Sequence, residues 1–386
     1  MLHEEEAYRE GLQIEDLNHV TLNGRKIVPM TTDDAPVRIA VIGAGLIGRR
    51  HIQHILAEPR CRLAGIVDPD PNARRLAQQA QTTYYAEIDA FLKAADAEAA
   101  IISTPNDTHA PLGIQCAQAG LHLLVEKPLA ADLRSGAALI EQTVKSSIQI
   151  LVGHHRRFNP YIEATRRILE AGTLGTVTAV NALWTTLKPD GYFDVAWRRR
   201  PGGGPVLINL IHDIDCLRYL FGDIERLYAE SSSGVRGFAV EDTAALVLRF
   251  CSGVLATIVT SDAAASPYNF ESATGENPLL HAAAQDCYRI FGTRATLSFP
   301  DMTLWDYEGA DGQGWSDPIA SRRCPVEFAP PLERQLRHFC DVVRGNTAPR
   351  CSAEDALKTL TVTLAVGEAA RKGAPITFDW AGLPDG

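Results

Sequence analysis

The stretch Val37-Arg38-Ile39-Ala40-Val41-Ile42-Gly43-Ala44-Gly45-Leu46-Ile47-Gly48 decides the fold. A β-branched run ends in G-x-G-x-x-G and opens into a helical pattern from Leu46 to Leu56. At this spacing Gly43 permits a tight turn, Gly45 lets a pyrophosphate approach the backbone, and Gly48 lets helix pack on strand. Leu46 and Ile47 then start a helix whose N-terminus faces the phosphates. A dinucleotide is the expected ligand. The next strand, Cys61 to Asp68, ends on an acid twenty-five residues after Gly43, placed to accept hydrogen bonds from the adenosine ribose hydroxyls. A carboxylate there repels a 2′-phosphate, and Pro69 follows where a basic residue would support one, so NAD is expected over NADP.

Outward from this unit the same alternation continues through a helix at Pro71 to Ala80, the strand pattern AEAAIIST, a helix from about Thr108 to Ala119, LHLLVEKP, a helix capped near Asp132, and IQILVG. Strands alternating with helices mean a doubly wound parallel sheet, and these apolar strands read as buried on both faces. The loop Thr104-Pro105-Asn106-Asp107-Thr108-His109 lies at the carboxyl edge where ligands bind, and Asn106 or Asp107 either caps the next helix or meets the cofactor. After His155 the runs TVTAVNALWTTL, TAALVLRF and GVLATIVTS are longer and alternate, which predicts a large, mostly antiparallel open sheet. The expected organisation is an N-terminal extension at 1–36, flexible, then a Rossmann domain at 37–155, then an α+β substrate and oligomerisation domain at 156–386. Within the last, the turn Pro201 to Pro205 opens a helix running to about Leu220, and Pro267 to Pro278 reads as a long loop or lid.

Bulk properties remove several classes. The chain has 386 residues, 46% hydrophobic and 22% charged, enough for two cores. No apolar run approaches the roughly 20 residues a membrane span needs, so no membrane partner is expected. The formal charge of -10 argues against nucleic acid. Much of it is local, since residues 1–36 hold eight acids against three bases. No basic n-region precedes an apolar run, and a cytoplasmic location is expected. Eight cysteines lie scattered without a C-x-x-C pair, and His212 with Cys216 has no second ligand pair, so neither a disulfide framework nor a metal is expected.

Glu126-Lys127-Pro128, together with GAGLIG, STPNDTHA, GHHRRFNP and the segment from Gly202-Gly203-Gly204 to His212 and Asp215, resembles the glucose-fructose oxidoreductase / inositol dehydrogenase (Gfo/Idh/MocA) family. The resemblance runs from Val37 almost to the C-terminus. It implies that Lys127 lies beside nicotinamide and substrate hydroxyl, that His212 is the catalytic histidine, and that Asp215 is the downstream acid. It adds Thr104, Pro105, Asn106, His109, Glu126, Trp197 and Arg198 to the cofactor set, and His155 to the substrate pocket. On an extended strand His154 and His155 would not both face that pocket.

One departure stands out, because Ile208 occupies the usual aspartate position. Asn209, three residues before His212 on the same helix, is expected to present its amide to substrate or imidazole, with Asp213 a second neighbour. The activity implied is hydride transfer between NAD and a secondary hydroxyl of a cyclic polyol, sugar or related carbohydrate, in a homodimer or homotetramer. The resemblance leaves open an NAD-dependent glycosidase using transient oxidation, a dihydrodiol, semialdehyde or imine reductase, and a non-catalytic NAD-sensing regulator.

Overall fold

Of the first strand, β1 (Val37–Ile42), every residue but Arg38 is buried. Such a strand needs cover on both faces, and the helices that follow supply it. The computed structural model describes residues 35–94, 96–307 and 313–380. The extension expected at 1–36 therefore lies almost wholly outside the described residues. After β1 come α1 (Leu46–Ala57), β2 (Cys61–Val67), α2 (Ala73–Gln79), β3 (Tyr84–Tyr85), α3 (Ile88–Ala94), β4 (Ala99–Ile102), α4 (His109–Gln118), β5 (His122–Val125), α5 (Leu133–Lys145) and β6 (Ile150–Val152). The six strands pair in parallel in the order β3-β2-β1-β4-β5-β6. The order reverses between β1 and β4, which makes the carboxyl ends of those strands the ligand-binding edge of a doubly wound sheet. Asp132 caps α5 as expected, accepting a hydrogen bond from Ser135 N at 2.9 Å.

The chain divides into two compact units, and the division is not the single cut at 155/156. The first unit ends at Gly153 but takes back 190–195 and 335–353. Ion pairs fasten the latter segment: Arg337 Nε reaches Glu58 Oε2 at 2.7 Å, and Arg344 Nη1 reaches Glu98 Oε1 at 2.7 Å. Val152 N also donates to Cys351 O at 3.0 Å. Contacts between residues 199 to 279 positions apart leave no local pattern in a sequence.

The second unit holds α6 (Pro160–Glu170), β7 (Val177–Thr185), a π-turn at Val206–Leu210, α7 (Ile211–Phe221), β8 (Ile224–Ser232), β9 (Thr243–Phe250) and β10 (Leu255–Ser261). It continues with α8 (Phe270–Thr274), β11 (Tyr288–Gly292), β12 (Ala295–Phe299), β13 (Thr303–Asp306) and β14 (Ala320–Arg323). Helix α9 (Pro331–Val343) and helix α10 (Ala353–Lys372) each begin in one unit and run on in the other, and β15 (Ile376–Thr377) closes the list of strands. Nine strands form one sheet, β14-β13-β12-β11-β7-β10-β9-β8-β15, antiparallel except for the β7/β10 pair. On β9 the residues Ala244, Leu246, Leu248 and Phe250 point inward and join Ile214, Leu217 and Phe221 of α7 and Val362 and Val366 of α10 in one core. Each such valine, leucine, isoleucine or phenylalanine contributes about 1.5–3 kcal/mol when fully buried.

Two local expectations are corrected. Pro267 to Pro278 is not one long loop or lid: Asn269 caps α8 through Ser272 N at 2.9 Å, and Phe270 is buried. Nor are His154 and His155 on an extended strand. The strand ends at Val152, and a 3-10 turn at His155–Phe158 buries His154 while leaving His155 half-buried.

Candidate active site

In the first unit the glycine turn is held by contact rather than by local preference alone. Gly43 has φ +93°, and Ser103 Oγ donates to its carbonyl at 2.8 Å. A Cβ on Gly48 would stand 1.9 Å from Gly43 O, so α1 packs this close only without a side chain. A Cβ on Gly45 would meet nothing within 4 Å. Beyond Gly45 is therefore open space at the head of α1, where Leu46 and Ile47 begin the helix and no side chain caps it. Unpaired N–H groups facing open space suit a diphosphate.

Asp68 ends beside this cradle. Its Oδ2 accepts from Ala44 N at 2.6 Å and its Oδ1 from Asp70 N at 2.8 Å. The carboxylate expected to meet the ribose thus also fastens the glycine turn to β2.

The loop after β4 and the E-K-P segment are tied together by His109. Its ring is buried, with Nδ1 2.8 Å from Pro128 O and Nε2 2.8 Å from Thr104 O. Asn106 lies in a 3-10 turn at Asn106–Thr108 after Pro105, and neither Asn106 nor Asp107 caps α4, whose N-cap is Thr108 without a side-chain bond. Glu126 is buried, its Oε1 2.7 Å from Nε2 of the buried His51 on α1, and its Oε2 accepts from Lys127 N at 3.3 Å. His51 carried no motif in the sequence. Lys127 is half-buried and precedes Pro128 across a cis peptide bond.

In the second unit His212 lies in the first turn of α7 and is 7% exposed. Its ring centroid is 5.3 Å from that of His155 and 6.3 Å from that of His154. Neither nearby aspartate is placed as its partner. Asp213 is buried, accepts from the Tyr288 hydroxyl, and stands 3.5 Å from Arg156 Nη1. Burial pushes its carboxyl up to about 7. Asp215 is gripped by Arg157 at 2.6 and 2.9 Å and accepts from Thr359 Oγ1 at 3.2 Å. Burial would raise its pKa, but the Arg157 charge and hydrogen bond hold it below the usual range.

Arg156 is the hub that the sequence did not announce. Buried over the Phe270 ring at 4.2 Å, it pairs with Glu271 at 2.7 Å and Glu276 at 3.0 Å. Glu276 also accepts from Asn159 Nδ2 at 2.9 Å and lies 3.6 Å from His155 Nε2. Burial opposes its ionisation, yet Arg156 and His155 hold it near 2.

Asn209 does not share a regular helix with His212, because it falls in the π-turn. Its Oδ1 accepts from Lys188 Nζ at 2.9 Å. Ile208 is half-buried in the same turn. Trp197 is 51% exposed rather than packed in a core, with the Arg198 guanidinium 5.7 Å from its ring centre. The triple glycine is needed here as well: a Cβ on Gly203 would lie 2.4 Å from Trp197 O. Lys188 and Glu276 thus meet Asn209 and His155 without belonging to any motif, and Arg156, inside GHHRRFNP, ties Glu276 in place.

Comparison with known proteins bears on both units. A family model described as an oxidoreductase family with an NAD-binding Rossmann fold matches residues 37–154, and a GFO/IDH/MocA C-terminal domain matches 162–298. The inositol 2-dehydrogenase of Rhizobium meliloti is 30% identical over 332 residues, 84% of this chain and 94% of its own length. The D-apiose dehydrogenase of Paraburkholderia graminis is 26% identical over 87% of this chain and 88% of its own. Among solved structures, the WlbA dehydrogenase of Bordetella pertussis in complex with NADH and UDP-GlcNAcA superposes with a TM-score of 0.71 at 22% identity, over 89% of this chain and 99% of its own.

Proposed function

This chain belongs to the GFO/IDH/MocA oxidoreductase family, and we propose that it transfers a hydride between NAD and a secondary hydroxyl of a cyclic polyol, sugar or related carbohydrate. The observation that carries the cofactor half is the open cradle at Gly45 with the Asp68 carboxylate 2.6 Å from Ala44 N. A negative charge bound to the turn itself disfavours a 2′-phosphate and selects NAD. The substrate class rests on the inositol and apiose named for the relatives.

Bound NAD supplies the hydride acceptor. The remaining work belongs to side chains of this chain. Lys127 stabilises the oxygen as it becomes an alkoxide, and His212 takes the hydroxyl proton. Asn209 and His155 contact substrate, while Thr104, Pro105, Asn106, Glu126, Trp197 and Arg198 line the cofactor. His109 acts through the loops it ties together.

A screen of inositols, aldoses and glycosides with NAD and NADP, followed by reduced-nicotinamide absorbance, tests the reading. The expected result is NADH formed from a polyol or sugar. Glycoside cleavage with no response to any alcohol would sink it.

A homodimer or homotetramer is part of the same proposal. Val247 (52% exposed), Leu255 (46%), Val259 (37%), Phe291 (38%) and Trp305 (39%) share the outward face of the nine-stranded sheet by strand register. Exposed apolar side chains spread among polar ones over a broad sheet face suit contact with a second copy.

A further inference from the structure

The π-turn Val206–Leu210 carries Ile208 where an acid is expected, and what it offers three residues before His212 is Asn209. An ammonium has three donors and no acceptor, so the 2.9 Å bond from Lys188 Nζ forms in one sense only. The amide oxygen turns to Lys188, and the two Nδ2 hydrogens are left to face whatever else meets Asn209.

Lys188 is well anchored for this. Its side chain is 11% exposed, Asp262 Oδ2 lies 3.4 Å from Nζ, and the Trp184 ring centre is 5.5 Å away. Arg236 Nε holds the other oxygen of Asp262 at 3.1 Å. Burial lowers the Lys188 pKa, with Asp262 opposing. An aspartate in this turn would be an acceptor and would call for a hydroxyl. Asn209 locked by Lys188 is the reverse.

We propose that Lys188 fixes Asn209 as a hydrogen-bond donor, so that the substrate presents there an oxygen that only accepts: a keto, carboxylate or O-alkyl oxygen rather than a hydroxyl. Lys188 is a positioning residue in this scheme, and the inference rests on the oxidoreductase reading above. A hydroxyl can still accept from Nδ2, but Asn209 then offers its proton only the second lone pair of an oxygen already bound to Lys188, a loss of about tenfold.

Two measurements on the NAD-loaded protein test it. The chain has seven lysines, Lys26, Lys93, Lys127, Lys145, Lys188, Lys358 and Lys372, few enough for a resolved spectrum with 13C-labelled lysine. The resonance that disappears in Lys188→Met should titrate below those of the exposed lysines and move in Asn209→Leu. If Asn209→Leu leaves it unchanged, the pair is absent and the proposal fails whatever the enzyme does.

The second measurement compares kcat/KM for the polyol found in the screen with that for analogues carrying one hydroxyl O-methylated or oxidised. Wild type should favour an acceptor-only analogue by about tenfold. Lys188→Met should bring the ratio to about one, Asn209→Asp should reverse it, and thermal melts should confirm that both variants fold. Preference for the free hydroxyl, or a ratio indifferent to Lys188→Met, overturns the proposal. If wild type oxidises no alcohol, the oxidoreductase reading falls and the substrate preference with it, while the lysine titration still shows whether the pair exists.

Discussion

The two units differ in how many charged side chains they bury. In the first, the six strands form an apolar interior, and the polar groups near the glycine turn sit on loops at the strand ends. In the second, Arg156, Arg157, Asp213 and Asp215 are buried, and the Glu276 side chain is only 4% exposed. The first unit builds its site from backbone geometry, which short motifs encode. The second builds it from a buried ionic network, whose members run from Arg156 in the middle of the sequence to Asp355 near its C-terminal end. Perturbing each unit in its own currency should therefore have unlike effects.

The largest expected effect is on turnover. Lys127→Ala in the first unit and His212→Ala in the second should each lower kcat by about 10²–10⁴-fold while leaving NAD titrations unchanged. Retention of full activity in either variant would remove that residue from the mechanism.

Stability should separate the units next. Asp215→Ala takes from the buried Arg157 its fully buried partner, leaving only the more exposed Asp355, and should cost about 3 kcal/mol in urea unfolding. Glu98→Ala, which removes partly exposed pairs with Arg38 and Arg344, should cost under about 1 kcal/mol. Equal costs would erase the contrast.

Within the first unit the glycines divide in the same way. Gly48→Ala drives a methyl against Gly43 O and should destabilise by about 1–3 kcal/mol. Gly45→Ala adds a methyl that meets no protein atom within 4 Å and should melt normally yet weaken NAD binding, as calorimetry would show.

The smallest effect is the response to pH, and its sign differs between units. Burial lowers His54 and His338 to about 4, from an ordinary value near 6.5. Stability from a depressed pKa is present above the unfolded value and is lost as pH falls, so the first unit should weaken between about pH 6.5 and 4. Asp213, raised to about 7, works the other way: its contribution is complete below about 3.9 and is lost as pH rises through 7. Asp213 and Glu276 both border the Arg156 guanidinium, and their carboxyls shift in opposite senses. Burial opposes ionisation of Glu276 and Asp355 too, but Arg156 and Arg157 hold them near 2, so their contributions fade only below about pH 4. Protection factors, taken relative to the intrinsic exchange rate at each pH, should therefore fall in the first unit and rise in the second between pH 7 and 4.5. A parallel change in both would contradict this.

How much was legible follows the same division. β1, α1 and β2 fall where the sequence places them, because a buried parallel strand is a continuous apolar run and a glycine turn has few backbone solutions. β9 and β10 were legible from strict alternation. Helix α10 was not, since its twenty residues are buried around most of their circumference and carry no one-sided stripe. The turn at α8 left readable signs, Asn269 before it and Gly275 after it at φ +70°, hidden by the prolines around them.

By itself, then, the sequence determined the two sheet types, the glycine cradle, Asp68 at its edge, and the positions of Lys127 and His212, all of which follow from residues within one or two elements. The tertiary structure alone decided that Asn209 answers to Lys188, that Asp215 belongs to Arg157, and that Glu276 stands beside His155. Those pairings span 21 to 121 residues, and no local periodicity records which buried charge a distant one will neutralise. Partners of that kind are chosen by the cost of leaving a buried charge alone, which is felt only once the chain has closed around it.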